Sequence, residues 1–384
     1  MPSHHEQAPD SSQVWILGGS GRAGRAIAGE LARRGLPPVL VGRNAQRLAG
    51  AASAVGGNIV VAGTHREMTG EITRRRPRVV INTIGPFVET TPLLATACMT
   101  AGSDYVDIAN DVGSAGFLLS CHERAVGAGR TLVTGAGFGV TATESVVVKL
   151  CENRPAAARV RVDMVPSVDI EAGPMGEALA GTIVAGLPGA PGGGRYAGRR
   201  YEHGRLVRAP IGADPESLTL PDGSRVTTAG MPLGELLAAQ RASGADWVLS
   251  ASSEAPSSPA VRAIMPLAGA LLSIGAVRGF AQRRLARVQF RQQQRPREHS
   301  WGHARIEWAD GTKREGWLRT GEAQAFTGAV CAAVTARLAA GGGRPGAYTP
   351  AALFGTSLAE TCGGAFLTAE PDVTAVGDTR DGQR

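Results

Sequence analysis

Lysine is almost missing from this chain. Only Lys149 and Lys313 occur, so 38 of the 40 basic residues are arginine. Schiff-base chemistry through an enzyme amine is thereby confined to those positions. Aromatics are also scarce, at 4% of 384 residues. The densest basic stretch, Arg283 to Arg297, holds six arginines around a single aromatic, Phe290. The whole chain's net charge of +7 supplies a non-specific electrostatic term but no nucleic-acid platform, so no nucleic-acid partner is expected. Cys98, Cys121, Cys151, Cys331 and Cys362 are scattered without a C-x-x-C pair. That pattern excludes a familiar zinc or disulfide frame and fits reduced thiols in a cytoplasmic protein. Residues through Ser12 contain no apolar core of a signal peptide. The longest apolar run, Ala263 to Val277, is interrupted by Pro266 and bounded by Arg262 and Arg278. It falls short of the ~20 residues of a spanning helix. A buried helix or hydrophobic lid is expected there. No stable membrane insertion is expected, with shallow contact left open.

What is present is a β-α alternation. Val14 to Leu17 form a continuous apolar run, as in a strand buried on both faces. Gly18-Gly19-Ser20-Gly21-Arg22-Ala23-Gly24 follows, with G-x-G-x-x-G at Gly19, Gly21 and Gly24, and a helix is expected from Ala23 to Arg34. The spacing assigns a tight turn to Gly19, close backbone approach to Gly21 and helix packing to Gly24, with the helix amino end facing a pyrophosphate. At the end of the second strand, an NAD site places a carboxylate on the ribose. Here the sequence is Val41-Gly42-Arg43-Asn44. The Arg43 guanidinium suits a 2′-phosphate, and Arg22 can assist, so NADP(H) is the expected cofactor. Further strands are expected at Asn58–Ala62, Arg78–Ile84, Asp104–Ile108 and Thr131–Thr134. Cofactor contacts are expected from Gly19, Ser20, Gly21, Arg22, Ala23, Gly24, Arg43 and Asn44. The loop Thr83-Ile84-Gly85-Pro86-Phe87 and Ala109, at strand carboxyl ends, complete that set.

These motifs together are similar to those of the saccharopine dehydrogenase-like oxidoreductases. The resemblance is carried by the glycine loop, Val41-Gly42-Arg43 and Val80-Ile81-Asn82-Thr83-Ile84-Gly85-Pro86-Phe87. Ala97-Cys98 through Ala101-Gly102-Ser103-Asp104-Tyr105-Val106-Asp107, Gly135 to Glu144 and the tail Arg344 to Gly355 extend it. It implies an NADP-linked reductase with a Rossmann domain and a mixed-sheet second domain. Within that group lie imine-forming amino-acid enzymes and trans-acting enoyl reductases. The chain departs from the family pattern in two loops: Ala109-Asn110-Asp111 stands where Gly-Glu is frequent, and Gly139-Val140 replaces the usual Asp after Gly-Phe.

The expected fold class is α/β: an N-terminal Rossmann-type doubly wound parallel sheet and a second α+β domain on a largely antiparallel or mixed sheet. The expected division is a tail (1–12), the Rossmann domain (13–140), a substrate and dimerisation domain (141–340), a segment returning to the Rossmann domain (341–370) and a second tail (371–384). Arg159 to Val168 alternates as a half-buried strand. A helix is expected over Gly173–Ala185, a mobile glycine-rich lid over Gly186–Gly194, and hairpin strands around Tyr196, Tyr201 and His203. Asp310-Gly311 marks a hairpin turn before a helix over Glu322–Ala339.

Hydride transfer needs a proton source rather than a nucleophile. Asp111, Asp107, Tyr196 and His203 are the candidates, and Phe138, Gly139 and Glu144 border the expected substrate. Asp107 can equally brace its turn, and Tyr105 points to the core. His299 and His303 read as structural, no metal site is expected, and no G-x-S-x-G elbow occurs. The expected function is NADPH-dependent reduction of a C=N bond in a small amino-containing metabolite, in biosynthesis, by a cytoplasmic homodimer. The alternatives are enoyl (C=C) reduction on a carrier-bound or lipid-like substrate, and a non-catalytic NADP(H) sensor.

Overall fold

A computed structural model of the chain describes residues 12–170, 172–175, 180, 197–258, 267, 271, 272 and 274–368. The first sheet follows the apolar runs. It comprises β1 (Val14–Leu17), β2 (Val39–Gly42), β3 (Asn58–Val61), β4 (Val79–Asn82), β5 (Asp104–Asp107) and β6 (Thr131–Val133). A seventh strand, Gly346–Tyr348, joins from the far end of the chain. The order is β3-β2-β1-β4-β5-β6 and then Gly346–Tyr348, parallel at every pairing. β1, β2, β4 and β5 are buried along their whole length, and β1, β2 and most of β4 accordingly read as apolar runs rather than alternating ones, whereas β5 buries two aspartates at its ends.

The connecting helices are α1 (Arg22–Arg33), α2 (Ala45–Ser53), α3 (His65–Arg75), α4 (Phe87–Ala101), α5 (Val112–Ser120), α6 (His122–Ala128) and α7 (Phe138–Cys151). α1 buries Gly24, Ile27, Ala28 and Leu31 at helical spacing. The helix Ala323–Ala339 covers the same face, with Gly328 packed against the Ala26 backbone. α7 is buried almost throughout and is the axle between the two sheets. A 140/141 division falls inside it. On its other side the second sheet approaches so closely that a Cβ on Gly302 would lie 2.7 Å from that of Ala142.

The second sheet centres on Arg159–Val165, which runs parallel to Trp247–Ser252 and antiparallel to Ser300–Glu307. Lys313–Thr320 and Ala365–Thr368 extend one side, and Ala197–Glu202 and Arg205–Pro210 the other. The sheet is therefore mixed. The hairpin at Asp310-Gly311 forms as its sequence predicts, with Gly311 at φ +81.

Two second-domain expectations are corrected. Gly173–Pro174 is a short strand paired with Gln289–Phe290, so no helix starts at Gly173. Its φ of +137 is a conformation glycine tolerates and other residues avoid. The apolar run Ala263–Val277 is not a buried helix where described: Leu267, Leu271, Ile274 and Val277 are all exposed. The helix that follows, Gly275–Ala286, has no buried residue and was not foreseen. Residues 186–194 of the expected lid lie outside the described residues. Among the described residues no helix is long and apolar enough to cross a membrane.

Candidate functional site

The sheet order reverses between β1 and β4, and the loops leaving their carboxyl ends lie side by side. This is where open parallel sheets bind ligands. The tight turn falls at Gly18, with φ +80, rather than at Gly19. Gly18 faces Thr83, whose Oγ1 would stand 2.6 Å from a Cβ on Gly18. Gly19 is needed for a different reason: a Cβ there would meet that of Leu40 on β2 at 2.7 Å. Gly24 packs as expected, since its Cβ would stand 2.5 Å from the Gly18 carbonyl oxygen.

α1 begins at Arg22, one residue earlier than the sequence predicts. Gly21 caps it without a side-chain hydrogen bond, and no acid lies in the first turn. A helix amino end without a side-chain cap or a first-turn acid is electrostatically suited to an anion. Ser20, Arg22 and Ala23 are half-buried at this mouth, while Arg43 and Asn44 are exposed at the end of β2. The Asn44 side chain caps α2 by accepting from the Arg47 amide at 2.9 Å. The residues at the end of β2, Gly42-Arg43-Asn44, include no carboxylate, and the neighbouring Glu67 carboxylate is engaged by the Gly63 and Thr64 amides at 2.6 and 3.1 Å.

The opposite wall is braced from below. Buried Asn82 donates to Thr90 Oγ1 and to the Tyr105 hydroxyl, both at 3.1 Å, and its Oδ1 accepts from the Ile84 amide at 2.9 Å. Thr83 Oγ1 donates to the Leu17 carbonyl at 2.7 Å, tying this loop to β1. Ile84, Gly85, Pro86 and Phe87 are left half-buried along the groove, with α4 starting at Phe87.

The candidate acids sort differently from the sequence expectation. Asp107 is fully buried and accepts from Thr134 Oγ1, Tyr105 OH and the amides of Ala109 and Gly135 at 2.8–3.2 Å. It braces two loops, and Ala109 is buried with it. Burial outweighs those donors and pushes its pKa up to about 6. Asp111 is the N-cap of α5, accepting from the Ser114 amide at 2.8 Å and from the Ser114 hydroxyl. His203 occupies the tight turn between Ala197–Glu202 and Arg205–Pro210, with φ +49 beside Gly204 at +68, and is exposed. It is a hairpin-turn residue with no place in the cleft. Tyr196 lies outside the described residues.

Two substrate candidates are corrected as well. Glu144 is buried and receives the Thr349 hydroxyl and the Ala351 amide (3.0 Å), so it tethers the carboxy-terminal segment to α7. Phe138 turns into the core, edge-on to Phe326 at 6.1 Å.

Gly139 alone leads to a polar group at the junction. A Cβ on Gly139 would overlap Glu235 Oε1 and stand 2.6 Å from Met164 Sδ and 3.2 Å from Asn110 Nδ2. Glu235 lies in the first turn of the helix Gly234–Ser243 and is 1% exposed. Only the Asn110 side chain and its own backbone amide ease its carboxyl oxygens; no other donor reaches them among the described residues. Burial pushes its pKa up to about 7; the Asn110 side chain eases the charge and Glu254 opposes it. The helix meets the β5 loop through the bridge of Asp111 with Leu233 and a 3.4 Å bond from the Gly234 amide to the Asn110 carbonyl. Sequence reasoning missed Glu235 because it lies on an unremarkable helix; the missing Asp at position 139 was the one hint.

His303 is buried between Asp163 (2.9 Å from Nδ1) and Glu315 (2.8 Å from Nε2) and stacks on Trp317. Both ring nitrogens are engaged, as befits a structural histidine.

The first sheet, its glycine turn and the paired loops define a dinucleotide-binding domain. Residues 14–133 match the saccharopine dehydrogenase NADP binding domain. A trans-acting enoyl reductase of Mycobacterium tuberculosis is 28% identical over 139 residues, 33% of this chain and 32% of that protein. The corresponding enzyme of Mycobacterium leprae is 26% identical over 159 residues, 37% of each chain. The match thus spans about a third of these relatives' length. Over the whole fold, the apo saccharopine dehydrogenase (L-Glu forming) of Saccharomyces cerevisiae superposes with a TM-score of 0.59 at 12% identity, covering 93% of this chain and 100% of that one. The fold is shared, and the cofactor domain is an NADP-binding one.

Proposed function

We propose that the chain is an NADPH-dependent oxidoreductase that reduces a polarised double bond, with the C=N bond of a small amino-containing metabolite as its first substrate class. The observation that carries this reading is the glycine-capped amino end of α1, with no acid in its first turn, beside Gly18 and Thr83 at the strand-order reversal. A bound reduced nicotinamide supplies the hydride equivalent. The glycine turn and α1 hold the pyrophosphate, Arg43 meets the 2′-phosphate, and the 83–87 loop borders the ring. A buried carboxyl at the domain junction suits a substrate nitrogen that takes up a proton as the bond is reduced. A biosynthetic role, a cytoplasmic setting and a homodimer belong to the same reading.

A second reading, reduction of C=C on a carrier-bound or lipid-like substrate, is favoured by the exposed Leu271, Ile274, Val277 and Phe280. The names of the mycobacterial relatives point the same way. The test is NADPH oxidation, followed by its fluorescence, against panels of imines and enones. Turnover of imines supports the first reading and turnover of enones alone the second. Tight NADPH binding with no turnover of either panel leaves a sensor.

A further inference from the structure

We propose that the carboxyl of Glu235, set against Gly139, Asn110 and Met164, is the proton donor to the reduced double bond. The inference rests on the reductase reading and adds the residue that reading lacks. The other acids of the neighbourhood are spent structurally. Asp107 holds two loops, Asp111 caps α5 and Glu144 receives Thr349 and Ala351. Glu235 is different, because both its oxygens are buried and only Asn110 and its own backbone amide ease them. Leaving a carboxyl so costs stability, and such a cost persists at functional sites.

Its position fits the task. Asn110 follows β5 and Gly139 opens α7 after β6, so the carboxyl faces loops at the carboxyl ends of two strands, on the ligand side of the sheet. Gly139 has no side chain, and the vacated volume is where Glu235 Oε1 sits. Of the groups around it, Asn110 is neutral, Met164 is apolar and Glu254 is an acid whose own pKa burial raises. The nearest cation in this set is Arg297, which acts on Glu254. Such surroundings keep Glu235 protonated near neutral pH, as a proton donor requires. The helix meets the β5 loop through one bridge and one long hydrogen bond, while its buried residues Leu236, Leu237, Ala238 and Ala239 pack it on α5 and α7 and hold the carboxyl in place.

In the balanced step, hydride from the reduced dinucleotide adds to one atom of the double bond. The other atom keeps the bond's electron pair and takes the Glu235 proton. Oxidised dinucleotide, the reduced substrate and the Glu235 carboxylate remain, and water returns the proton.

Three proteins test this: wild type, Glu235→Gln, and Glu235→Ala combined with Gly139→Asp. Each is measured for NADPH affinity, for turnover against pH on an imine or enone that the wild type reduces, and by infrared titration of its buried carboxyls. Glu235→Gln should leave NADPH affinity within about twofold, lower turnover at least about a hundredfold and abolish the alkaline limb of the pH profile. It should also remove a carboxyl C=O band that titrates near neutrality. The carboxyl carried on position 139 should restore at least about a tenth of wild-type turnover. Unchanged turnover and pH profile in Glu235→Gln would overturn the proposal while the reductase reading stands. Should Glu235→Gln not fold, Glu235→Asp takes its place: a shifted alkaline limb with a shifted near-neutral carboxyl band supports the proposal, and a wild-type pH profile and unmoved bands overturn it. Absence of wild-type turnover on every imine and enone would instead defeat the reductase reading, and this proposal with it.

Discussion

Gly139 and Glu235 share one space: the glycine on α7 is empty where the Glu235 Oε1 of a distant helix stands. The contact joins the two domains, and it ties a backbone position to a carboxyl. Gly139→Ala must displace either Glu235 or Met164. We expect a loss of about 1–3 kcal/mol in denaturant unfolding, because overpacking a tight interior has that cost. Combined with Glu235→Ala, the loss should fall short of the sum of the single losses by at least about 0.5 kcal/mol, the mark of residues in direct contact. Strict additivity would mean that the two do not meet.

Stability should fall as pH rises toward neutrality. Burial raises Asp107 to about 6 and Glu144 and Glu235 to about 7. A carboxyl raised above its unfolded value binds its proton more tightly in the folded chain. Its contribution is then largest below the unfolded carboxylate range and is lost as pH climbs to the folded value. Above pH 7 the amide of Glu235→Gln escapes this cost. Melts there should show the variant more stable, by up to about 3 kcal/mol, with no gain below pH 4.

The Asp163–His303 pair carries the opposite dependence on its acid side. Asp163 is depressed by the His303 and Arg161 charges and the Thr228 hydroxyl, although burial opposes them. It contributes above its unfolded value and loses that contribution as pH falls through its folded value. His303 is raised by Asp163 and Glu315 against its own burial, so its contribution is full below its unfolded value and fades as pH rises through the folded one. His303→Gln should cost about 3 kcal/mol between those limits, since it leaves buried Asp163 short of a partner. Thermal melts at several pH values check this.

Gly24 and Gly29 lie on the same helix and should respond oppositely to alanine. At Gly24 a Cβ would meet the backbone of Gly18 and Gly19 at 2.5 and 2.8 Å, whereas at Gly29 it meets nothing within 4 Å. Gly24→Ala should distort the turn and weaken NADPH binding by at least about tenfold, about 1.4 kcal/mol. Gly29→Ala should bind normally and gain about 0.5–1 kcal/mol from helix propensity. Equal effects would contradict the packing role of Gly24.

The first domain was legible because its signals are local. β1, β2 and β4 are short apolar runs, and the glycine turn sits directly between β1 and α1. Even so, the positive φ fell on Gly18, since Gly19 is set by Leu40, a contact no spacing rule contains. The seventh strand, Gly346–Tyr348, is too short to announce itself. The acids were hard for a different reason. A sequence shows that Asp107, Asp111 and Glu144 are acids near strand ends or a helix start, but not which donors fold back to satisfy them. Glu144 is satisfied by Thr349 and Ala351, some two hundred residues away. Glu235 was hidden by the same long range: its carboxyl faces Gly139 and Asn110, both far away in the chain. His203 alone was readable in retrospect, because His203-Gly204 between two strands is a turn signal.

Binding of NADPH and NADH by the purified protein, repeated with Arg43→Ala, tests the cofactor claim on which the rest depends. Wild type should bind NADPH clearly tighter than NADH. Removing the guanidinium should cost NADPH about 1.5–3 kcal/mol, roughly ten- to a hundredfold in affinity, and leave NADH almost unchanged. Failure to bind either nucleotide, or equal losses for both, would contradict the site described at Gly18, α1 and Arg43.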